Sequence, residues 1–111
     1  LYEGGWGSNE DGYEELRSIL GARKFDFPKP TKLLTKLLAS LQHKNALVLD
    51  FFAGSGTTLH AVMALNAEDG GNRRCILVTN NENNIAEEVC YERNRRVIAG
   101  YTNAKGQAVA G

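Results

Sequence analysis

Ala46-Leu47-Val48-Leu49 is an unbroken apolar run that stops at Asp50, and Phe51-Phe52-Ala53-Gly54-Ser55-Gly56-Thr57-Thr58 follows at once. A short apolar run of this kind reads as a strand buried on both faces of a parallel sheet. Gly54 and Gly56 allow a tight turn with positive φ, and Thr57 to Asn66, with Leu59, Val62 and Met63 inward, reads as a helix. Ala67 to Arg74, containing Gly70 and Gly71, is a polar loop leading into a second buried strand, Cys75-Ile76-Leu77-Val78-Thr79. The unit is βαβ with a right-handed crossover, which places the chain in the α/β class. Two strands are too few for a finished sheet, so an incomplete parallel sheet with unpaired edges is expected, and with it a homo-oligomer or completion by further sequence.

The flanks add helices. Asp11 and Glu14 resemble a capping box for a short helix over about residues 12 to 20, with Leu16, Ile19 and Leu20 at helical spacing before Gly21. Phe25-Asp26-Phe27-Pro28-Lys29-Pro30 must be extended, because each proline restricts its predecessor and lacks a donor. Leu33, Leu34, Leu37, Leu38 and Leu41 then form one apolar stripe of a helix that Pro30 starts and Asn45 stops, and they are expected in the core. Ile85, Val89, Arg93 and Val97 mark a last helix, ended by Gly100, whose arginine is expected to keep its head in water. The remainder is expected to be irregular. The whole reads as one partial domain over residues 1–111: a glycine-rich loop and short helix (1–24), a core (25–103) and a tail (104–111).

Charge and motif content exclude several functions. Thirteen Lys and Arg balance thirteen Asp and Glu, which argues against a free-standing nucleic-acid-binding module. No apolar run reaches the roughly 20 residues of a membrane helix. Cys75 and Cys90 are too few for a disulfide framework or a zinc site and fit a reducing cytoplasm, so no metal is expected. The chain opens on Leu1 without a basic-then-apolar leader, so no targeting peptide is read and the chain reads as a piece of a longer one. A phosphate-binding P-loop needs a lysine after its last glycine, and none lies between Lys44 and Lys105. Leu59 stands where a dinucleotide loop would have its third glycine.

The constellation that carries chemistry lies at the carboxyl ends of the two strands. Asp50 precedes the glycine turn, and Glu82 follows the second strand, where open α/β sheets bind ligands and where an acid can accept from ribose hydroxyls. The amides at the start of the helix after Gly56 point at negative charge, and Thr57 or Thr58 can add a hydroxyl. One of Phe51 and Phe52 is expected in the core, since a strand alternates faces. His43 and His60 carry no catalytic expectation. Arg93, Arg95 and Arg96, with Arg73 and Arg74, either meet phosphate or solubilise a face, the second being the expectation, and the two cysteines read as small buried hydrophobes.

These residues, in this order, resemble the S-adenosylmethionine-binding part of bacterial amino-methylating DNA methyltransferases, most closely the modification subunits of type III restriction systems. Phe25 to Pro30 with the helix of Leu33 to Leu41 is similar to that family's motif X, and Asp50 to Thr58 to its motif I. Ile76 to Glu82 leading into the Glu88 to Gly100 helix is also similar, so the resemblance spans about residues 12 to 103. It implies a partial Rossmann-like methyltransferase fold with S-adenosylmethionine as cofactor. Asp50, Gly54 and Gly56, with Ala53 and Ser55 in the same loop, would line the methionine moiety. Thr57 and Thr58 would lie near its carboxylate, and Lys29 would help hold it. Glu82 would take the ribose hydroxyls, and Asn80, Asn81 or Phe52 would border the adenine.

Methylation of an adenine amino group also needs the family's Asp/Asn-Pro-Pro-Tyr/Phe loop around a flipped base. Pro28 and Pro30 are the only prolines, so no catalytic residue is assigned within this chain. The resemblance puts that loop and the target-recognition region upstream of Leu1. It implies an adenine-N6 methyltransferase of a restriction-modification system as the parent, DNA as its substrate, a restriction subunit as a possible partner, and no activity for this chain alone. The alternatives are an NAD-type nucleotide-binding module and a non-enzymatic assembly fragment.

Overall fold

The computed structural model describes residues 7–21, 28–103 and 105–111. Phe25, Asp26 and Phe27 therefore lie outside the described residues. The first helix, α1 (Asn9–Leu20), begins three residues earlier than its sequence pattern, because the capping box is built by Ser8 and Asp11. The Asp11 amide donates to Ser8 Oγ (3.2 Å) and the Ser8 amide to Asp11 Oδ2 (2.8 Å). Leu16, Ile19 and Leu20 meet Val89 in the main buried cluster, with Ile85, Val97 and Tyr101 packed against it. Each fully buried aliphatic side chain contributes roughly 1.5–3 kcal/mol. A Cβ on Gly12 would lie 2.1 Å from the Pro28 carbonyl, so this glycine lets α1 and the proline segment touch backbone to backbone.

Pro30 is extended (φ −73°, ψ 143°) and starts α2 (Thr31–Ser40). Glu15 caps this helix from α1: its carboxylate accepts from the Thr31 amide (2.9 Å) and hydroxyl. The leucine stripe of α2 is shallower than its pattern suggests. No residue of α2 is buried, and Leu37 and Leu41 are exposed. The helix packs on α3 alone among its larger contacts, which covers only one flank of the stripe.

Strands β1 (Leu47–Asp50) and β2 (Arg74–Leu77) form a parallel pair in the register Leu47↔Arg74 to Asp50↔Leu77, joined through α3 (Thr57–Asp69). The pairing runs past both strand ends: the Val78 amide donates to the Asp50 carbonyl (2.8 Å) and the Ala53 amide to the Val78 carbonyl (3.1 Å). The expectation of strands buried on both faces is not met. Leu47, Leu49, Ile76 and Val78 are 47–53% exposed, because α3 covers one face and no described element covers the other. Phe51 and Phe52 are both exposed, since β1 ends at Asp50 and alternation no longer applies. Arg73 is buried rather than solubilising, its guanidinium paired with both Asp69 carboxylate oxygens (3.1 and 2.9 Å).

After β2 the chain makes a short 3₁₀ turn (Glu82–Asn84), a π-helical stretch (Ile85–Tyr91) and α4 (Glu92–Ala99). Asn83 and Asn84 both have positive φ, which asparagine tolerates better than most residues. Asn81 Oδ1 accepts from the Ala86 and Glu87 amides and so caps the π-helical stretch. The tail expected to be irregular instead folds into an antiparallel hairpin, β3 (Tyr101–Thr102) with β4 (Ala108–Val109). Asn103 organises its turn, accepting through Oδ1 from the Lys105 and Gln107 amides. Among the described residues no helix is long and apolar enough to cross a membrane.

Candidate functional site

A cavity of about 270 Å³ opens at the carboxyl end of β1. Lys29, Asp50, Phe52, Ala53, Gly54, Ser55, Thr57 and Thr58 line it, with Leu34 of α2 on its wall. The structure thus brings together eight of the residues singled out from sequence, across the 21 positions that separate Lys29 from Asp50. Gly56 lies behind the wall as the N-cap of α3. Asn80 and Glu82 do not line the cavity. They stand exposed beyond the end of β2, with Asn80 Oδ1 accepting from the Glu82 amide (3.2 Å).

Asp50 shapes the turn that follows it. Its Oδ1 accepts from the Phe52 amide (2.9 Å) and its Oδ2 from the Thr58 hydroxyl (2.6 Å). Each oxygen keeps a lone pair for a ligand, since a carboxylate offers about four acceptor positions. The Gly56 amide donates to the Ala53 carbonyl (2.8 Å), which closes the loop. A side chain at Gly56 is disfavoured on two grounds: its φ is 84°, and a Cβ there would lie 2.4 Å from Asn94 Nδ2. The loop places the start of α3, with its unpaired amides and positive dipole end, against the cavity.

The hydroxyls of Ser55 and Thr57 face inward. Thr57 Oγ1 donates to the Lys29 carbonyl (2.9 Å) and sits 3.2 Å from Ser55 Oγ. Both accept from Arg93 Nη1, at 2.8 Å (Thr57) and 3.1 Å (Ser55). Arg93 is 0% exposed, which overturns the expectation of a solvated head. Its Nη2 donates to Glu15 Oε1 (3.3 Å), and its Nε lies 3.3 Å from His60 Nδ1. His60 must offer a lone pair at Nδ1, so it is neutral, and burial together with the Arg93 charge pushes it down to about 4. Asn94 Nδ2 donates to the Gly56 and Cys90 carbonyls (3.3 and 2.9 Å). Reading the sequence alone misses Arg93, Asn94 and Glu15. The signal is a cation interrupting an apolar stripe, but the partners of Arg93 lie 33 to 78 positions away.

A larger cleft of about 600 Å³ lies between β2 and the last helices, lined mainly by apolar groups that include Leu59, Leu77, Tyr91 and Ile98. Cys75 and Cys90 also line it. Burial pushes the Cys75 thiol up to about 11 and raises Cys90 as well, so neither is a ready nucleophile.

The N6/N4 DNA methylase family model matches residues 3–100, almost the whole chain. The chain belongs to this DNA methylase family. Among curated proteins it is 51% identical over 88 residues to the Mod subunit of the type III restriction-modification enzyme StyLTI of Salmonella typhimurium, covering 76% of this chain and 14% of that protein. It is 42% identical over 95 residues to the Mod subunit of the type III enzyme EcoPI of Escherichia phage P1, covering 86% of the chain and 15% of the relative. The type II methyltransferase M.KpnI of Klebsiella pneumoniae is 39% identical over 88 residues, or 79% of the chain and 21% of the relative. The chain therefore spans between about a seventh and a fifth of these relatives. Membership of a DNA methylase family agrees with the resemblance read from Asp50 to Thr58 and from Phe25 to Pro30 with the Leu33 to Leu41 stripe.

Proposed function

We propose that this chain supplies the S-adenosylmethionine-binding half of a cytoplasmic DNA adenine-N6 methyltransferase of a restriction-modification system, with the base-binding and catalytic loop provided elsewhere in a longer protein. The observation that carries the reading is the cavity itself, where a lysine, a strand-end carboxylate and a helix N-terminus converge on one glycine loop. That donor set suits the zwitterionic end of an amino acid. Asp50 would accept from the ammonium, while Lys29 and the first amides of α3 would hold the carboxylate. The bound cofactor supplies an electrophilic methyl on a sulfonium. This chain's part is to grip both ends of the molecule and fix where that methyl points.

A cavity of about 270 Å³ takes only part of such a ligand, since drug-sized molecules fill roughly 300–1,000 Å³. The remainder would run over the carboxyl ends of β1 and β2, past exposed Phe52, toward Glu82 for the ribose hydroxyls and Asn80 beside the adenine. With no Pro-Pro motif in the chain, the target amino group would be held by the parent protein, which would also contact DNA and a restriction subunit.

Calorimetric titration of the chain with S-adenosylhomocysteine tests this reading. The expected result is saturable binding that Asp50→Ala weakens at least about tenfold and Glu82→Ala weakens less. A chain folded by circular dichroism that gives no binding heat overturns it.

A further inference from the structure

Arg93 is a full positive charge on the inward face of a helix whose neighbouring inward positions, Val89 and Val97, are aliphatic. Burying a cation there is costly, and its carboxylate partner, Glu15, is itself 28% exposed. An aliphatic residue would extend the apolar stripe. It would also leave the Ser55 and Thr57 hydroxyls, the Glu15 carboxylate and His60 Nδ1 without their shared donor. The planar fork reaches four side chains at once, on α1, the glycine loop and α3. Two of these pass the constraint on: Thr57 to the Lys29 carbonyl, and Glu15 to the Thr31 amide. Both walls of the candidate site, the glycine loop and the proline-braced Lys29 segment, are thereby referred to one guanidinium.

We infer that Arg93 is a positioning residue that holds the Gly54–Thr58 loop and the Lys29–Thr31 segment in register for the ligand, acting through Ser55, Thr57 and Glu15 without touching the ligand itself. The inference rests on the cofactor-site reading above and adds to it a residue 35 positions downstream of the loop. Arg93→Lys is the informative substitution, because an ammonium keeps the charge but cannot span the fork. In Arg93→Lys, amide hydrogen exchange at Gly54 to Thr58 is expected to speed up about tenfold or more, with Leu65 to Asp69 at the far end of α3 unchanged. Affinity for S-adenosylhomocysteine is expected to fall about tenfold, the factor that 1.4 kcal/mol produces.

A merely structural role would lower the melting temperature while leaving loop exchange and affinity at parental values, and that result overturns the inference. Should Arg93→Lys fail to fold, Ser55→Ala and Glu15→Gln each cut one arm of the fork. Parental loop exchange in both overturns it equally. If the parent chain itself binds no S-adenosylhomocysteine, the cofactor reading fails, whereas the exchange measurement still decides whether Arg93 sets the loop.

Discussion

Two regions of the molecule have met opposite fates. Behind the glycine loop, α1, the π-helical stretch and α4 pack together through Leu16, Ile19, Leu20, Val89 and Val97, and even an arginine is sealed from water. Across the strands, Leu47, Leu49, Ile76 and Val78 stay about half exposed, although their apolar pattern matches that of a buried strand. Apolar composition therefore states what a face is suited to bury, while burial itself requires an element to lie against it. The contrast also separates two kinds of stability. The closed side should respond sharply to single substitutions and the open side hardly at all.

The largest effect is expected from the closed core. Leu16→Ala removes a fully buried side chain and should cost on the order of 3 kcal/mol in denaturant unfolding, within the range for cavities of this type. A loss below 1 kcal/mol would mean that the core collapses around the deletion and is not the close-packed side described.

Acid should reach the same side through His60. Its folded pKa of about 4 lies below the ordinary 6.5, so the unfolded chain binds the extra proton between those values. The contribution is present in full above about pH 6.5 and is lost as pH falls toward about 4, on the order of 3 kcal/mol in total. Stability measured at steps from pH 7 to 4 should show this decline, and His60→Gln should flatten that part of the curve.

Gly56→Ala should cost about 2 kcal/mol or more, since it places a side chain at positive φ and against Asn94. Thermal unfolding checks this, and Gly70→Ala is the control, with positive φ but open space around its Cβ. Ser8→Ala, which removes the α1 cap, should cost about 1 kcal/mol. The smallest effect belongs to the bare face: Leu49→Thr should change stability by less than about 0.5 kcal/mol. Sedimentation at rising concentration should show less self-association in that variant if the exposed apolar face drives it.

Local chemistry made much of this molecule legible in advance. The apolar run at 46–49, the glycines at 54 and 56 and the second run at 75–79 specify strand, turn and strand by nearest-neighbour rules; β1 lies one residue beyond its run, and β2 starts one residue before its run and ends two residues short of it, at Leu77. The α3 helix ran three residues past its expected end because Gly70, not Asn66, supplies the left-handed cap. The hairpin at Tyr101 to Val109 is not legible in the sequence, because two-residue strands carry no period and its turn depends on one asparagine side chain.

The site divides along the same line. Lys29 and Asp50 to Thr58 were readable by type and spacing, since a glycine loop between strand and helix is a local construction that positions its own donors. What lies under that loop was decided by tertiary structure. Whether an arginine on an amphipathic helix faces water or four polar partners depends on which distant segments pack beside it, and Glu15 and Ser55 lie 78 and 38 positions away. The sequence by itself determined the elements and the chemistry at their ends, because those follow from backbone sterics and short-range periodicity. Only the folded chain decided which face of the sheet is covered and that Arg93 is buried, because coverage and desolvation are properties of contacts between segments and of no segment alone.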